Sequence, residues 1–157
     1  MILFTDYRQF VAEDWELVSV TAFMLGATPV IWFRCEPLIS YTAVFLLFFI
    51  ISVCVIRLVM LLAQKWIIGE ETICWMRGVI SQETDFIELY RIVDYKESQS
   101  FLQRLMGIKT VTVYSTDRSD SVIEIKGVPA KEDVVGYIRE NVEKCKIDKK
   151  IYEITNN

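Results

Sequence analysis

The chain has 157 residues, a net charge of −4 and 53 % hydrophobic residues, enough for one folded domain plus an attachment. It contains no histidine, which removes His-based acid–base catalysis, Ser-His-Asp and Cys-His nucleophiles, and the commonest metal ligand. So small and mixed a net charge also gives no case for nucleic acid as a partner.

Hydrophobicity is unevenly spread. No charge occurs from Leu17 to Phe33, nor from Leu38 to Ile56, and the apolar character runs on past Arg57 to Ala63. The second run, of 19 residues, spans roughly 28 Å as a helix and matches a bilayer core. The first carries Gly26 and Pro29, which a spanning helix tolerates. A signal peptide is the rival reading, but the preceding "AEDWE" is acidic where a basic segment is needed. The two runs therefore read as a transmembrane helical hairpin within residues 1–64, turned at "RCEP" with Pro37 opening the second helix.

Trp15, Trp32, Tyr41 and Trp66 fall near the predicted ends, where aromatic rings prefer the headgroup zone, and Lys65 marks the exit. Arg57 reads as snorkelling to the same interface, against the alternative of a functional polar path in the membrane. Arg8, Arg57, Lys65 and Arg77 outnumber Arg34 of the turn, so positive-inside bias puts the C-terminal part in the cytoplasm. Ser19, Thr21, Gly26, Ala27, Thr28, Ser40 and Thr42 are small or polar positions suited to close helix packing, within the hairpin or with another membrane protein.

From Lys65 onward, short pieces of period-two alternation predict strands. Lys65–Gly69 and Thr72–Arg77 pair around Gly69-Glu70, and Arg77-Gly78 turns into Val79 and Ile80. "DFIELYRIVDYKES" reads as two strands meeting near Leu89–Arg91, with Phe86, Leu89, Ile92 and Tyr95 on one face. Phe101–Met106 is a helical turn stopped by Gly107. Ile108–Ser115 is the cleanest strand, and Ser121–Lys126 follows the turn "TDRSD" before Gly127 and Pro129 break the pattern. From Ala130 to Lys146, Val134, Val135, Ile138, Val142 and Cys145 form a helical stripe, with Glu132 and Asp133 in its first turn. Residues 147–157 are a tail without pattern, unless Ile151 and Ile154 dock. Six or seven antiparallel strands and one helix imply a barrel or sandwich, residues 65–146, closed by the C-terminal helix.

Cys35, Cys54, Cys74 and Cys145 have no metal-ligand spacing, and there is no phosphate-binding glycine motif. Cys74 and Cys145 read as small core residues. Glu70/Glu71, Asp85/Glu88 and Asp117/Asp120 are the closest carboxylate pairs, and the last belongs to a turn rather than a Ca²⁺ site.

The elements, and more so the motifs, resemble the bacterial pleckstrin-homology-like domain family attached to paired transmembrane helices. The motifs are W-x-I-x-x-E-x-I (Trp66, Ile68, Glu71, Ile73), Gly78, I-x-L-x-R-I-x-D (Ile87, Leu89, Arg91, Ile92, Asp94) and S-x-L-Q-R-L-x-G (Ser100, Leu102, Gln103, Arg104, Leu105, Gly107). The resemblance runs from the first apolar segment to about Val142. It implies a non-enzymatic scaffold at the bacterial cytoplasmic membrane, without a cofactor, that binds a protein partner or its own copies, with a lipid or small molecule as the alternative ligand. Trp66, Glu71, Gly78, Ile92, Leu102 and Gly107 are expected to be structural. Arg91, Asp94, Gln103 and Arg104 form the candidate partner surface; the alternative is a local Arg91–Asp94 ion pair with Gln103–Arg104 capping a turn. Phosphoinositide-binding relatives use Lys and Arg in the first strand–strand loop, where this chain has "GEE".

Overall fold

The computed structural model describes residues 1–117 and 121–149. Part of the "TDRSD" turn, with Asp120, and the tail from residue 150, with Ile151 and Ile154, lie outside the described residues.

The chain opens with a short strand, β1 (Ile2–Phe4), and a short helix, α1 (Arg8–Glu13). Two long helices follow, α2 (Trp15–Arg34) and α3 (Pro37–Leu62), and Pro37 opens α3 as its sequence position implies. Both are long and apolar enough to cross a membrane. Their apolar side chains point outward; Phe23, Phe45 and Phe48 are all exposed.

The two helices pack as a hairpin. Ser40 is buried near the turn, its hydroxyl 3.4 Å from the Ile31 carbonyl, and Thr21 Oγ1 lies 3.3 Å from Cys54 Sγ. Of the small residues suited to packing, Thr21 and Ser40 make these cross-helix contacts. A Cβ on Gly26 would meet nothing within 4 Å, so this glycine does not mediate the packing. The hydroxyls of Ser19, Thr28 and Thr42 bond carbonyls of their own helices.

After α3 come β2 (Lys65–Ile68), β3 (Thr72–Arg77), β4 (Glu83–Glu88), a 3₁₀ turn at Leu89–Arg91, β5 (Ile92–Ser98), α4 (Phe101–Met106), β6 (Ile108–Ser115), β7 (Val122–Pro129) and α5 (Val134–Asp148). They form two antiparallel sheets, ordered β1-β2-β3-β4 and β5-β6-β7. The two sheets do not join into a closed barrel, which corrects the barrel reading in favour of a sandwich-like pair. β1 was not apparent in the sequence. It pairs with β2 through Ile2↔Ile67 and Phe4↔Lys65, so residues before the hairpin complete a sheet made mostly after it.

The core gathers Trp66, Ile68, Ile73, Ile87, Leu89, Ile92, Val111, Val113 and Ile125 between the sheets, and α5 caps it with Val134, Ile138, Val142 and Cys145. Phe86 is 64 % exposed while Ile87 is buried, so the apolar face of β4 is one residue out of phase with the expected one. Leu89 and Ile92 are buried as expected. β7 continues through Gly127 to Pro129 rather than stopping at Lys126: Gly127, at φ +71°, lies where the register with β6 shifts between Lys109 and Val111, and pairing resumes at Val128 and Pro129. α5 begins at Val134, so Asp133 is its N-cap, accepting the Gly136 N–H at 2.8 Å, instead of lying within its first turn.

Candidate interaction surface

α4 is built by its own sequence. The Ser100 hydroxyl accepts the Gln103 N–H, the Gln103 carboxamide oxygen accepts the Ser100 N–H, and Gly107 ends the helix at φ +71°. This fixes Gln103 pointing inward. Gln103 is only 6 % exposed, and its Nε2 donates to Thr110 Oγ1 at 2.8 Å and to Gln9 Oε1 at 2.9 Å. It is a buried tie between α1, α4 and β6. Arg104, one residue on, is exposed and lines a cleft of about 380 Å³ with Glu97, Gln99 and Lys109. Lys109 is buried against Glu97 at 2.6 Å.

Arg91 pairs with Glu88 and Asp117, each at 3.2 Å, and not with Asp94. The 3₁₀ turn aims Arg91 back at the end of β4, while Asp94 sits beyond a register shift in β5 and accepts the Tyr95 N–H at 2.7 Å. Arg91 and Asp94 are thus not joined, and Arg104 lies apart from both on α4. Burial and the nearby Glu143 and Asp94 carboxylates, against an opposing effect of Arg139, push the Tyr95 hydroxyl up to about 12. Among the described residues, no strand pairs with the outer edge of β4, and Phe86 is exposed on that strand.

A second cluster joins the hairpin to the sheets. The Asp6 N–H donates to the Gly127 carbonyl at 3.2 Å, and Arg8 donates to the Met106 carbonyl at 3.0 Å. Glu13 bonds Lys126 at 2.8 Å and accepts from Gln9 at 3.2 Å, and Asp14, just before α2, pairs with Arg57 of α3. Burial alone would raise the Glu13 pKa, but hydrogen bonds from Lys126 and Gln9 outweigh it and hold the carboxyl below the usual range. Burial would lower the Lys126 pKa, and Glu13 outweighs it, leaving the ammonium raised. Glu13, Lys126, Leu61, Gln64 and Trp75 line a cleft of about 400 Å³ at the base of the hairpin. Sequence reasoning missed Gln9, Glu13 and Gly127, whose partners lie about a hundred residues away. The one local sign was a glycine inside an otherwise β-patterned run.

Trp32 and Tyr41 meet edge-to-face at 5.8 Å beside the hairpin turn, and Trp15 is exposed at the other end. Trp66 does not join this belt. It is 1 % exposed in the core, stacked 4.8 Å from Trp75, whose other neighbour is the Arg77 guanidinium at 4.4 Å. Lys65 is half-buried and sits 5.6 Å over the Phe4 ring. Glu71 is exposed, Leu102 half-buried and Ile92 buried. The "GEE" loop lines a cleft where Glu70, Glu71 and Asp148 face Lys144 and Lys149. Among the described residues, no three Cys, Asp or Glu groups come together as a metal site.

A family model described as "Bacterial PH domain" matches residues 17–142. No curated protein and no solved structure matches the chain. The match begins in α2 and ends in α5, covering the hairpin, most of both sheets and the capping helix. The chain belongs to the bacterial PH domain family.

Proposed function

We propose that the protein is a non-enzymatic, membrane-anchored interaction module: the hairpin holds a PH-like domain at the cytoplasmic face of the bacterial inner membrane, where it binds another protein or further copies of itself. The observation that carries the reading is the tie between hairpin and domain. β1 and α1 on one side and β2 on the other bind both ends of the hairpin to the same sheets, so the domain is held in a set orientation rather than on a loose tether. A set orientation serves assembly, because it presents one face of the domain along the membrane. Family membership supports a binding role, and the excess of Arg and Lys on the domain side of the hairpin supports the orientation.

Two surfaces suit a protein partner. One is the open edge of β4 with exposed Phe86, where an added strand would satisfy free backbone groups. The other is the Arg104 cleft. Of the four residues singled out in the sequence, Arg104 is the one best placed for this role, since Gln103 is buried and Arg91 is held by Glu88 and Asp117. The test is purification of the full-length protein from its own membranes in mild detergent, with proteins and lipids identified by mass spectrometry. A stoichiometric protein partner or a defined oligomer is the expected result. A monomer carrying one defined lipid would move the reading to ligand binding.

A further inference from the structure

The β3–β4 turn places apolar residues where water-facing turns carry polar ones. Residues Gly78 to Gln82 close it, and Val79 and Ile80 at its tip are 56 % and 102 % exposed. Tips of this kind ordinarily use Gly, Asn, Asp, Ser or Pro. A fully exposed Ile beside an exposed Val is apolar surface that none of the described residues covers.

The register locates this tip. β2 starts at Lys65, three residues after Leu62 ends α3, and Lys65 pairs with Met76 of β3. β3 therefore leaves the sheet at the end nearest the hairpin. Trp75 shares the cleft at the base of the hairpin with Leu61 and Gln64, which puts that end of β3 beside the last turn of α3. At about 3.3 Å per residue, the tip advances roughly 7–10 Å past the level of Lys65. That is the rise of about five or six helical residues, and it carries the tip out on the hairpin side of the sheet.

The turn is also held in shape. Gly78 has φ +105°, and a Cβ there would lie 1.9 Å from the Ser81 carbonyl oxygen. Arg77 is drawn onto the sheet by Glu83 at 3.0 Å and by Asp85 at 3.5 Å, above the Trp75 ring. The charge next to the tip is thus neutralised in place, and Val79 and Ile80 are left as the leading surface.

We propose that the Gly78–Gln82 turn is a wedge that seats Val79 and Ile80 in the interfacial layer of the bilayer holding the hairpin; this rests on reading the hairpin as a membrane anchor. Two apolar side chains beside an existing anchor add a third point of contact, and so set the tilt of the domain on the membrane. The opposite turn of the same sheet, at Gly69-Glu70, is acidic and points away from the hairpin.

The test uses full-length protein with its four cysteines replaced, reconstituted in phosphatidylethanolamine–phosphatidylglycerol vesicles. Single cysteines, Ile80→Cys, Phe48→Cys or Glu70→Cys, carry an environment-sensitive fluorophore. We expect the Phe48 position to be quenched by spin-labelled lipid at the bilayer centre. The Ile80 position should be quenched several-fold more than Glu70 by spin-labelled lipid near the headgroups, with Glu70 open to aqueous iodide. If Phe48 is quenched while Ile80 behaves like Glu70, the wedge is overturned and the anchor stands. If Phe48 is not quenched either, the anchor reading fails and takes the wedge with it. A second measurement needs no substitution: a photoactivatable lipid should label the 77–83 segment of the wild-type protein as well as the hairpin, and labelling confined to the hairpin would overturn the proposal.

Discussion

Gln103 Nε2 donates to Gln9 Oε1 at 2.9 Å across 94 residues of sequence, inside a buried site that Thr110 completes. This bond joins the segment before the hairpin to the turn that precedes β6. Gln103→Ala would take away the hydrogen bonds it makes to Gln9 Oε1, Thr110 Oγ1 and the Ser100 N–H, while Gln9 keeps its bond to Glu13. Each unsatisfied buried group costs about 1–3 kcal/mol, and partial rehydration returns some of it, so a loss of about 2–3 kcal/mol is expected in unfolding with denaturant in detergent. Faster amide exchange in residues 2–13 should accompany the loss.

Gly127 serves the same joint from the other side. An alanine there would be strained at φ +71°, and its Cβ would lie 3.0 Å from Gln9 Cβ and Thr5 Cγ2. Gly127→Ala is expected to destabilise by about 1–2 kcal/mol. Hydrogen exchange separates the outcomes: β1 should lose protection while α5 keeps it.

The Glu13–Lys126 pair makes the joint sensitive to pH at the extremes. Because the Glu13 carboxyl is held below its ordinary 4.5, its stabilisation is present above that value and is lost as pH falls through the depressed pKa. Lys126 is raised above its ordinary 10.5, so its contribution is complete below that value and is lost as pH rises through the raised pKa. Both side chains are about a third or more exposed, which limits the pair to about 1 kcal/mol or less. Glu13→Gln should lower the melting temperature slightly at neutral pH, and the difference from wild type should vanish in acid.

Trp66 and Arg91 carry neighbouring family motifs and should respond very differently. Trp66 is sealed in the core, and Trp66→Ala should cost about 3–5 kcal/mol. The Arg91 side chain is 39 % exposed and its ion pairs are screened by water, so Arg91→Ala should leave the unfolding midpoint close to that of wild type. Parallel denaturant titrations check the contrast.

Local pattern made much of this fold readable. The hairpin follows from its uncharged runs and Pro37, and β2, β3 and β6 from period-two alternation. The break at Leu89–Arg91 and the Gly107 stop appear where turn chemistry puts them. What escaped has its cause at long range. β1 is three residues without a period of its own, and it is a strand because β2 offers a free edge. Trp66 looks like a belt residue by position, but the sheet turns it inward against Trp75. Gln103 looks like surface because glutamine usually is, and only the return of α1 buries it. The Phe86/Ile87 phase was ambiguous because two apolar residues stand side by side at the point where the strand enters the 3₁₀ turn.

The proposed function requires the hairpin to cross the membrane with its turn on the far side. Cys35 is exposed in that turn, whereas Cys145 is buried and Cys54 and Cys74 are half-buried. A membrane-impermeant maleimide applied to intact spheroplasts is predicted to label Cys35, and Cys35→Ser should abolish the signal. Labelling of Cys35 that appears only after the membrane is broken would contradict the account.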